Sequence, residues 1–204
     1  LTFSKIRAAS QIMANLPYVK GVRIGIKLPD TVNIMIEEES VVYAIKSSDG
    51  QWWMMDSDGR VVEQANNAKA ATATQLLGVT LEAPAVNQKG IATEMTPSET
   101  NELGELIPVT TTGAQRLTAA LQILKALENN DIVGEAASVD VTSTEDIILW
   151  YGTRYQVNLG DTSRLDYKID CMNDAILQMS DYQSGVLDIS FTIWPNQVGY
   201  TPFA

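Results

Sequence analysis

Hydrophobic residues at the start of the chain follow a helical spacing and then a strand spacing. Apolar side chains first recur every three or four positions, which predicts a short amphipathic helix: Ile6, Ala9, Met13 and Leu16. Pro17 ends this helix, since its ring cannot continue the hydrogen-bond ladder. Apolar residues then alternate with polar or small ones on either side of a turn at 28–31: Val22, Ile24, Ile26, Val32, Ile34 and Ile36. We predict a helix and two paired strands, a unit that carries no chemistry of its own.

Later segments predict a mixture of strands and two longer helices. Strand patterns occupy 41–45, 52–56, 61–62, 139–141 and a hairpin at 147–151 and 155–159. Between residues 65 and 109 periodicity is weak, and we expect a long connection with short strands at 79–81 and 107–109. One apolar helical stripe runs from Ala114 and frays near 128–130. A second begins after a capping box of Ser163 and Asp166 and ends before Gly185. The fold class is α+β, mainly antiparallel after the first unit.

The last part of the chain reads as two further strands. Apolar residues alternate from Leu187 to Ile193, and after a break at Pro195 the chain can form a final strand from Gln197. Two adjacent tryptophans, Trp52 and Trp53, cannot share one face of a strand. We therefore expect one of them to be exposed or covered by the long middle segment.

Composition excludes several functional classes. The 204 residues are 45% hydrophobic, which is enough for a folded core. The net charge of −11 argues against nucleic acid and against an anionic lipid surface as partners of the folded region. The single cysteine, Cys171, lies in a helical apolar pattern and is interpreted as a small buried hydrophobe.

Catalytic and metal-binding motifs are weak throughout the sequence. The chain has no histidine, the commonest general base and zinc ligand. Asp56-Ser57-Asp58-Gly59 has the wrong residues at the sixth and twelfth positions for a calcium loop, and is interpreted as a turn. Glu37-Glu38-Glu39 is interpreted as a solvated strand end. We predict no enzymatic activity, no cofactor and no metal site, with a carboxylate-dependent hydrolase as a remote alternative.

Several short segments resemble one family in the same order along the chain. Residues 15–22 and 27–34 resemble the POTRA module of the FtsQ/DivIB cell-division proteins, where a Leu-x-Pro-x-Val segment and a Leu-Pro-x-Thr segment flank the first strand. Glu39 and Val41 depart from that pattern, which often has Arg and Pro there. Residues 54–61, 76–79, 157–160, 167–168 and 187–190 are similar to segments of the family's β domain.

This resemblance implies an extracytoplasmic divisome scaffold. Residues 1–40 would be the C-terminal part of a POTRA module and 41–204 a β domain. Its partners would be FtsB/DivIC-like and FtsL-like division proteins. The family has one membrane helix, and its POTRA module begins with a strand and a helix, so the resemblance implies that these precede Leu1. No segment of this sequence is itself apolar over about 18 residues. A POTRA-containing secretion or outer-membrane assembly component is the alternative.

The predicted partner site is the final strand. A last strand often lies at a sheet edge, where unpaired backbone groups can pair with an incoming strand. Pro202 favours an edge position for this strand. The resemblance implies that this edge binds the partner and that Tyr200 fills an aromatic position of the family. Six residues form the predicted site: Trp194, Val198, Gly199, Tyr200, Thr201 and Phe203.

Overall fold

The structure, a computed structural model, describes residues 4–38, 42–94, 111–192 and 196–203. Within these ranges the helices are α1 (Lys5–Asn15), α2 (Asn67–Ala70), α3 (Gly113–Asn129) and α4 (Leu165–Leu177). The strands are β1 (Val19–Lys27), β2 (Thr31–Glu38), β3 (Tyr43–Ser47), β4 (Trp52–Met55), β5 (Val61–Ala65), β6 (Gln75–Leu81), β7 (Ala136–Asp140), β8 (Ile147–Tyr151), β9 (Tyr155–Gly160), β10 (Gly185–Asp188) and β11 (Gly199–Pro202).

The N-terminal unit is the predicted helix followed by an antiparallel pair of strands. Strands β1 and β2 form a sheet of their own, with Ile24 opposite Ile34. Every residue of β2 is exposed, so this pair buries little apolar surface. Hydrogen bonds that join the unit to the rest of the chain include Asn87 Nδ2 to Ala14 O at 2.7 Å, Arg60 Nη2 to Val19 O at 3.3 Å, and Lys69 Nζ to the Tyr18 hydroxyl oxygen at 3.1 Å.

The remaining strands form one nine-stranded sheet in the order β11-β10-β9-β8-β7-β6-β3-β4-β5. Its pairs are antiparallel except for β10–β9, β7–β6 and β6–β3, which are parallel. Because parallel neighbours need crossover connections, α3 lies between β6 and β7 in the chain, and α4 between β9 and β10. The α+β fold class with a mainly antiparallel sheet is confirmed.

The main core lies between the sheet and the two longer helices. Ile123 and Leu124 of α3, and Met172 of α4, are fully buried against it. Trp53 packs on this core, whereas Trp52 packs on a smaller apolar cluster on the opposite face of the sheet. The adjacent tryptophans therefore occupy opposite faces and both are half-buried. Of the two predicted outcomes for one of them, exposure or cover by the middle segment, the second fits Trp52, since Ala70 and Ala73 belong to its cluster.

Several predicted boundaries need correction. Helix α4 begins after Arg164, which has a φ of 55° and gives no side-chain cap, while Ser163 bonds to Asp161 instead. The predicted capping box at Ser163 is therefore wrong; a capping box occurs at α3, formed by Thr112 and Gln115. Helix α4 ends at Leu177, and Gly185 belongs to β10. Cys171 is half-buried rather than buried. The short strand expected at 107–109 lies outside the described residues.

A buried lysine fixes the start of α4 against the end of β9. Lys168 is 1% exposed. Its Nζ donates to three oxygens, Leu159 O and Asp161 O at 2.8 Å and Asp161 Oδ1 at 2.9 Å. An ammonium group has three protons to donate, so these three oxygens accept all of them. The hydrogen bonds offset the cost of burying the charge.

Because of this arrangement, the stability of the fold depends on pH in the acid range. Hydrogen bonds from Ser163 and then Lys168 lower the pKa of Asp161 from 3.8 to about 2. A carboxyl group whose pKa is lower in the folded state stabilises the fold above the unfolded-state pKa, and this contribution is lost as the pH falls toward 2. The side chain is 57% exposed, so solvent screening limits the effect to about 1 kcal/mol. Urea unfolding at pH 5 and pH 2.5 should show a smaller loss of stability in Asp161→Asn than in the wild type. Equal losses in the two proteins would contradict this.

Candidate functional site: the β11 edge

Strand β11 forms one edge of the nine-stranded sheet. It pairs antiparallel with β10, with Leu187 opposite Tyr200 and Asp188 opposite Gly199. On its other side no strand pairs with it among the residues that the structure describes. The structure thus places β11 at an edge, and the strand begins at Gly199, two positions later than the sequence pattern indicated.

The register shows which backbone groups of β11 face outward. Phe203 N donates to Ser184 O at 3.1 Å, so these residues form a hydrogen-bonded pair. In an antiparallel ladder such pairs alternate with pairs whose backbone groups point away from each other. Gly199 and Thr201 therefore bond to β10, whereas Tyr200 and Pro202 direct their backbone groups to the open side. Since Pro202 has no N–H, Tyr200 holds the outward donor within this strand.

Tyr200 and Val198 anchor the edge to the protein core. Both side chains are half-buried and pack against the main core. The Tyr200 hydroxyl donates to Ser184 O at 3.1 Å. The Tyr200 side chain therefore holds β11 in place, and its backbone is the part that remains available.

The other face of the edge carries an exposed aromatic contact. Phe203 is 41% exposed and stacks on the half-buried Trp150 of β8, with ring centroids 6.1 Å apart and planes at 25°. Thr201 lies on the same face and is exposed. The structure thus brings together five of the six predicted partner-site residues on or beside β11. The sixth, Trp194, lies outside the described residues.

Gly185 permits the close approach of β10 and β11. A Cβ atom at this position would lie 2.3 Å from Thr201 O and 2.9 Å from Pro202 Cα. Sequence reasoning assigned this glycine to the end of a helix and missed its contact with the edge strand. The available signal was that Gly185 directly precedes the alternating apolar residues of a strand. Glycine inside a strand often marks a close approach of another backbone.

Other candidate chemistry is limited. Asp56 is buried and accepts from the backbone N–H groups of Asp58 and Arg60 at 3.1 and 2.8 Å, as a turn residue does. Glu37 and Glu38 are exposed at the end of β2. Across the described ranges, no cluster of three or more potential metal ligands occurs. Nor is any helix within them both long and apolar enough to cross a membrane.

Comparison with known proteins gives one similarity that agrees with the resemblance noted above. A stretch of 65 residues, 32% of the chain, is 35% identical to the cell division protein DivIB of Clostridium acetobutylicum. This stretch covers 26% of that protein, so the match spans about a quarter of the length of the curated relative. No protein-family model matches the sequence. The similarity supports a relationship to the FtsQ/DivIB proteins over a third of the chain.

Proposed function

We propose that this chain is part of a non-enzymatic cell-division scaffold of the FtsQ/DivIB type. The observation that supports it most directly is the open edge of β11, a surface suited to binding another protein strand. The sequence similarity to DivIB supplies the biological context. The partners we propose are FtsB/DivIC-like and FtsL-like proteins of the divisome, which take part in septum formation.

The proposal extends to domains and location. Residues 1–40 represent the C-terminal part of a POTRA module, and residues 41–204 represent the β domain. The two separate sheets support this division, since among the described strands β1 and β2 pair with each other and with no other. The intact protein would be anchored in the cytoplasmic membrane by an N-terminal helix, with this region on the outer side.

Strand addition at β11 is the binding mechanism we propose. An incoming strand would accept a hydrogen bond from Tyr200 N–H and donate one to Tyr200 C=O. Main-chain bonds of this kind supply affinity, and alternate side chains supply specificity. Phe203 and Trp150 offer an apolar surface beside the added strand. Pro202 lacks a donor on the open side, so the added strand pairs mainly before this residue.

Two substitutions of Tyr200 and one truncation test this mechanism. Tyr200→Pro removes the outward donor together with the side chain, and Gly199 before it tolerates the backbone restriction that proline imposes. We expect Tyr200→Pro, Tyr200→Ala and removal of residues after Pro195 to abolish binding to the extracytoplasmic region of a DivIC-like partner. Isothermal titration calorimetry measures the affinity, and circular dichroism shows whether the rest stays folded.

Tyr200→Phe is the matched control. It loses only the hydroxyl bond to Ser184 O and keeps both the ring and the backbone donor, so its affinity should stay within about twofold of wild type. If the truncated chain kept its circular dichroism spectrum and bound the partner with unchanged affinity, the edge mechanism would be wrong.

A further inference from the structure

A cavity beside the middle of β6 is lined by a buried arginine, Arg116, that has no carboxylate partner among the described residues. The cavity has a volume of about 280 Å³. Its lining includes Lys46, Gly78, Thr93, Gly113, Arg116 and Thr142. These residues come from five separate segments of the chain, so no local motif marks the cavity in the sequence.

A bulge in β6 opens the cavity. Pairing with β3 passes from Ile45 opposite Leu76 directly to Lys46 opposite Thr80. Residues 77–79 are therefore left without partners on β3. Gly78 has a φ of 79° at the centre of this bulge. Such bulges redirect side chains and often adjoin functional sites.

Arg116 supplies the positive charge of the cavity. The residue is 8% exposed, and Nη1 donates to Gly78 O at 3.1 Å. Its Nε is buried and has no hydrogen-bond partner. Among the described residues no carboxylate forms an ion pair with Arg116, and none of the residues lining the cavity is acidic. Buried guanidinium groups are usually paired, because an unpaired buried charge is costly.

Two further features favour a negative ligand here. The Thr93 hydroxyl is buried and has no hydrogen-bond partner among the described residues. The 17-residue helix α3 begins at Gly113, which lines the cavity, and free N–H groups at a helix N-terminus attract anions. The Lys46 ammonium is instead directed to the opposite face of the sheet, where its Nζ lies 4.9 Å from the centroid of the Trp52 ring.

Glycine at the start of α3 keeps the helix close to the cavity wall. A Cβ on Gly113 would lie 2.2 Å from Thr93 O. The first residue of α3, Thr93 and Arg116 thus line the same cavity, in a chain whose net charge is −11. From this shared lining and the two unpartnered polar atoms we infer that the cavity binds a small oxyanion, a carboxylate or a phosphate group, through Arg116 and Thr93. This binding site is separate from the β11 edge.

Nuclear magnetic resonance titration of the whole chain tests the inference. Sodium phosphate and sodium acetate are each added at constant ionic strength, with sodium chloride as the reference. We expect a saturable shift of the Arg116 Nε–H and Gly113 amide signals with at least one oxyanion and none with chloride. Tighter binding of phosphate assigns the site to phosphate groups, and tighter binding of acetate assigns it to carboxylates.

Three variants make the result specific. Arg116→Gln should abolish the saturable shift of the Gly113 amide. Thr93→Val removes an unpaired hydroxyl at constant shape, which preserves folding, and should weaken binding about threefold or more. Arg7→Gln removes one positive charge from an exposed position on α1 and should bind as the wild type does. Absence of a saturable shift with both oxyanions would overturn the inference, as would unchanged binding in both Arg116→Gln and Thr93→Val.

Discussion

Replacing Lys168 with methionine is expected to lower the free energy of unfolding by about 3 kcal/mol. Methionine fills a similar volume, so the loss comes from hydrogen bonding rather than from a cavity. The change leaves Leu159 O, which is buried, and Asp161 O without the ammonium that they share. Urea unfolding followed by circular dichroism measures the difference.

Lys125 provides the matched control for that experiment. It also pairs with an aspartate, Asp58, at 2.8 Å, but its side chain is 53% exposed. Exposed ion pairs contribute little, so Lys125→Met should lower the free energy of unfolding far less than Lys168→Met does. Equal losses in the two variants would show that burial of Lys168 does not determine its contribution.

Replacing Gly78 with alanine is expected to lower the free energy of unfolding by about 4 kcal/mol or more. A Cβ at this position would lie 2.2 Å from Thr142 N and 2.6 Å from Thr142 Cα. Both atoms belong to the backbone, so side-chain rotation cannot relieve the clash. The bulge of β6 or the chain after β7 must move instead.

Replacing Gly50 with alanine distinguishes this steric effect from the energetic cost of the left-handed backbone conformation. Its φ is 82°, almost the same as the 79° of Gly78, and nothing lies within 4 Å of a Cβ built there. Gly50→Ala should therefore cost only the left-handed conformation, about 1 kcal/mol. Thermal and urea unfolding of the two variants give the comparison. A Gly78→Ala protein as stable as Gly50→Ala would mean that the contact with Thr142 is easily relaxed.

The strands and long helices could be predicted from local patterns because one side of each element faces the core. The alternation at Ile147, Leu149 and Tyr151 is an example, since all three face α3 and α4. Strand order could not be predicted, because periodicity identifies the buried face of a strand and not its neighbour. The parallel pairing of β6 with β3 and β7 is a case of this kind.

Predicted helix boundaries were wrong where polar residues had more than one possible hydrogen-bond partner. Ser163 and Asp166 have the spacing of a capping box, but the Ser163 hydroxyl bonds to Asp161 at 2.5 Å, and Arg164 occupies the N-cap position. The edge position of β11 was predictable because Pro202 restricts pairing to one side. The arginine cavity was not, since Arg116 lies between Ala114 and Leu117 in the first turn of α3, and nothing beside it in the sequence indicates its burial.

The order of the strands also determines the distance between the two edges of the sheet. The N-terminal unit contacts Arg60 and Lys69, which flank β5 at one end of the sheet, whereas β11 lies at the other. Nine strands are separated by eight steps of about 4.8 Å, so the two ends are roughly 38 Å apart. A twist of about 20° per step turns β11 almost halfway around relative to β5. The sheet therefore acts as a spacer: a strand added at β11, as proposed above, would lie roughly this far from β5, the end of the sheet that the N-terminal unit contacts.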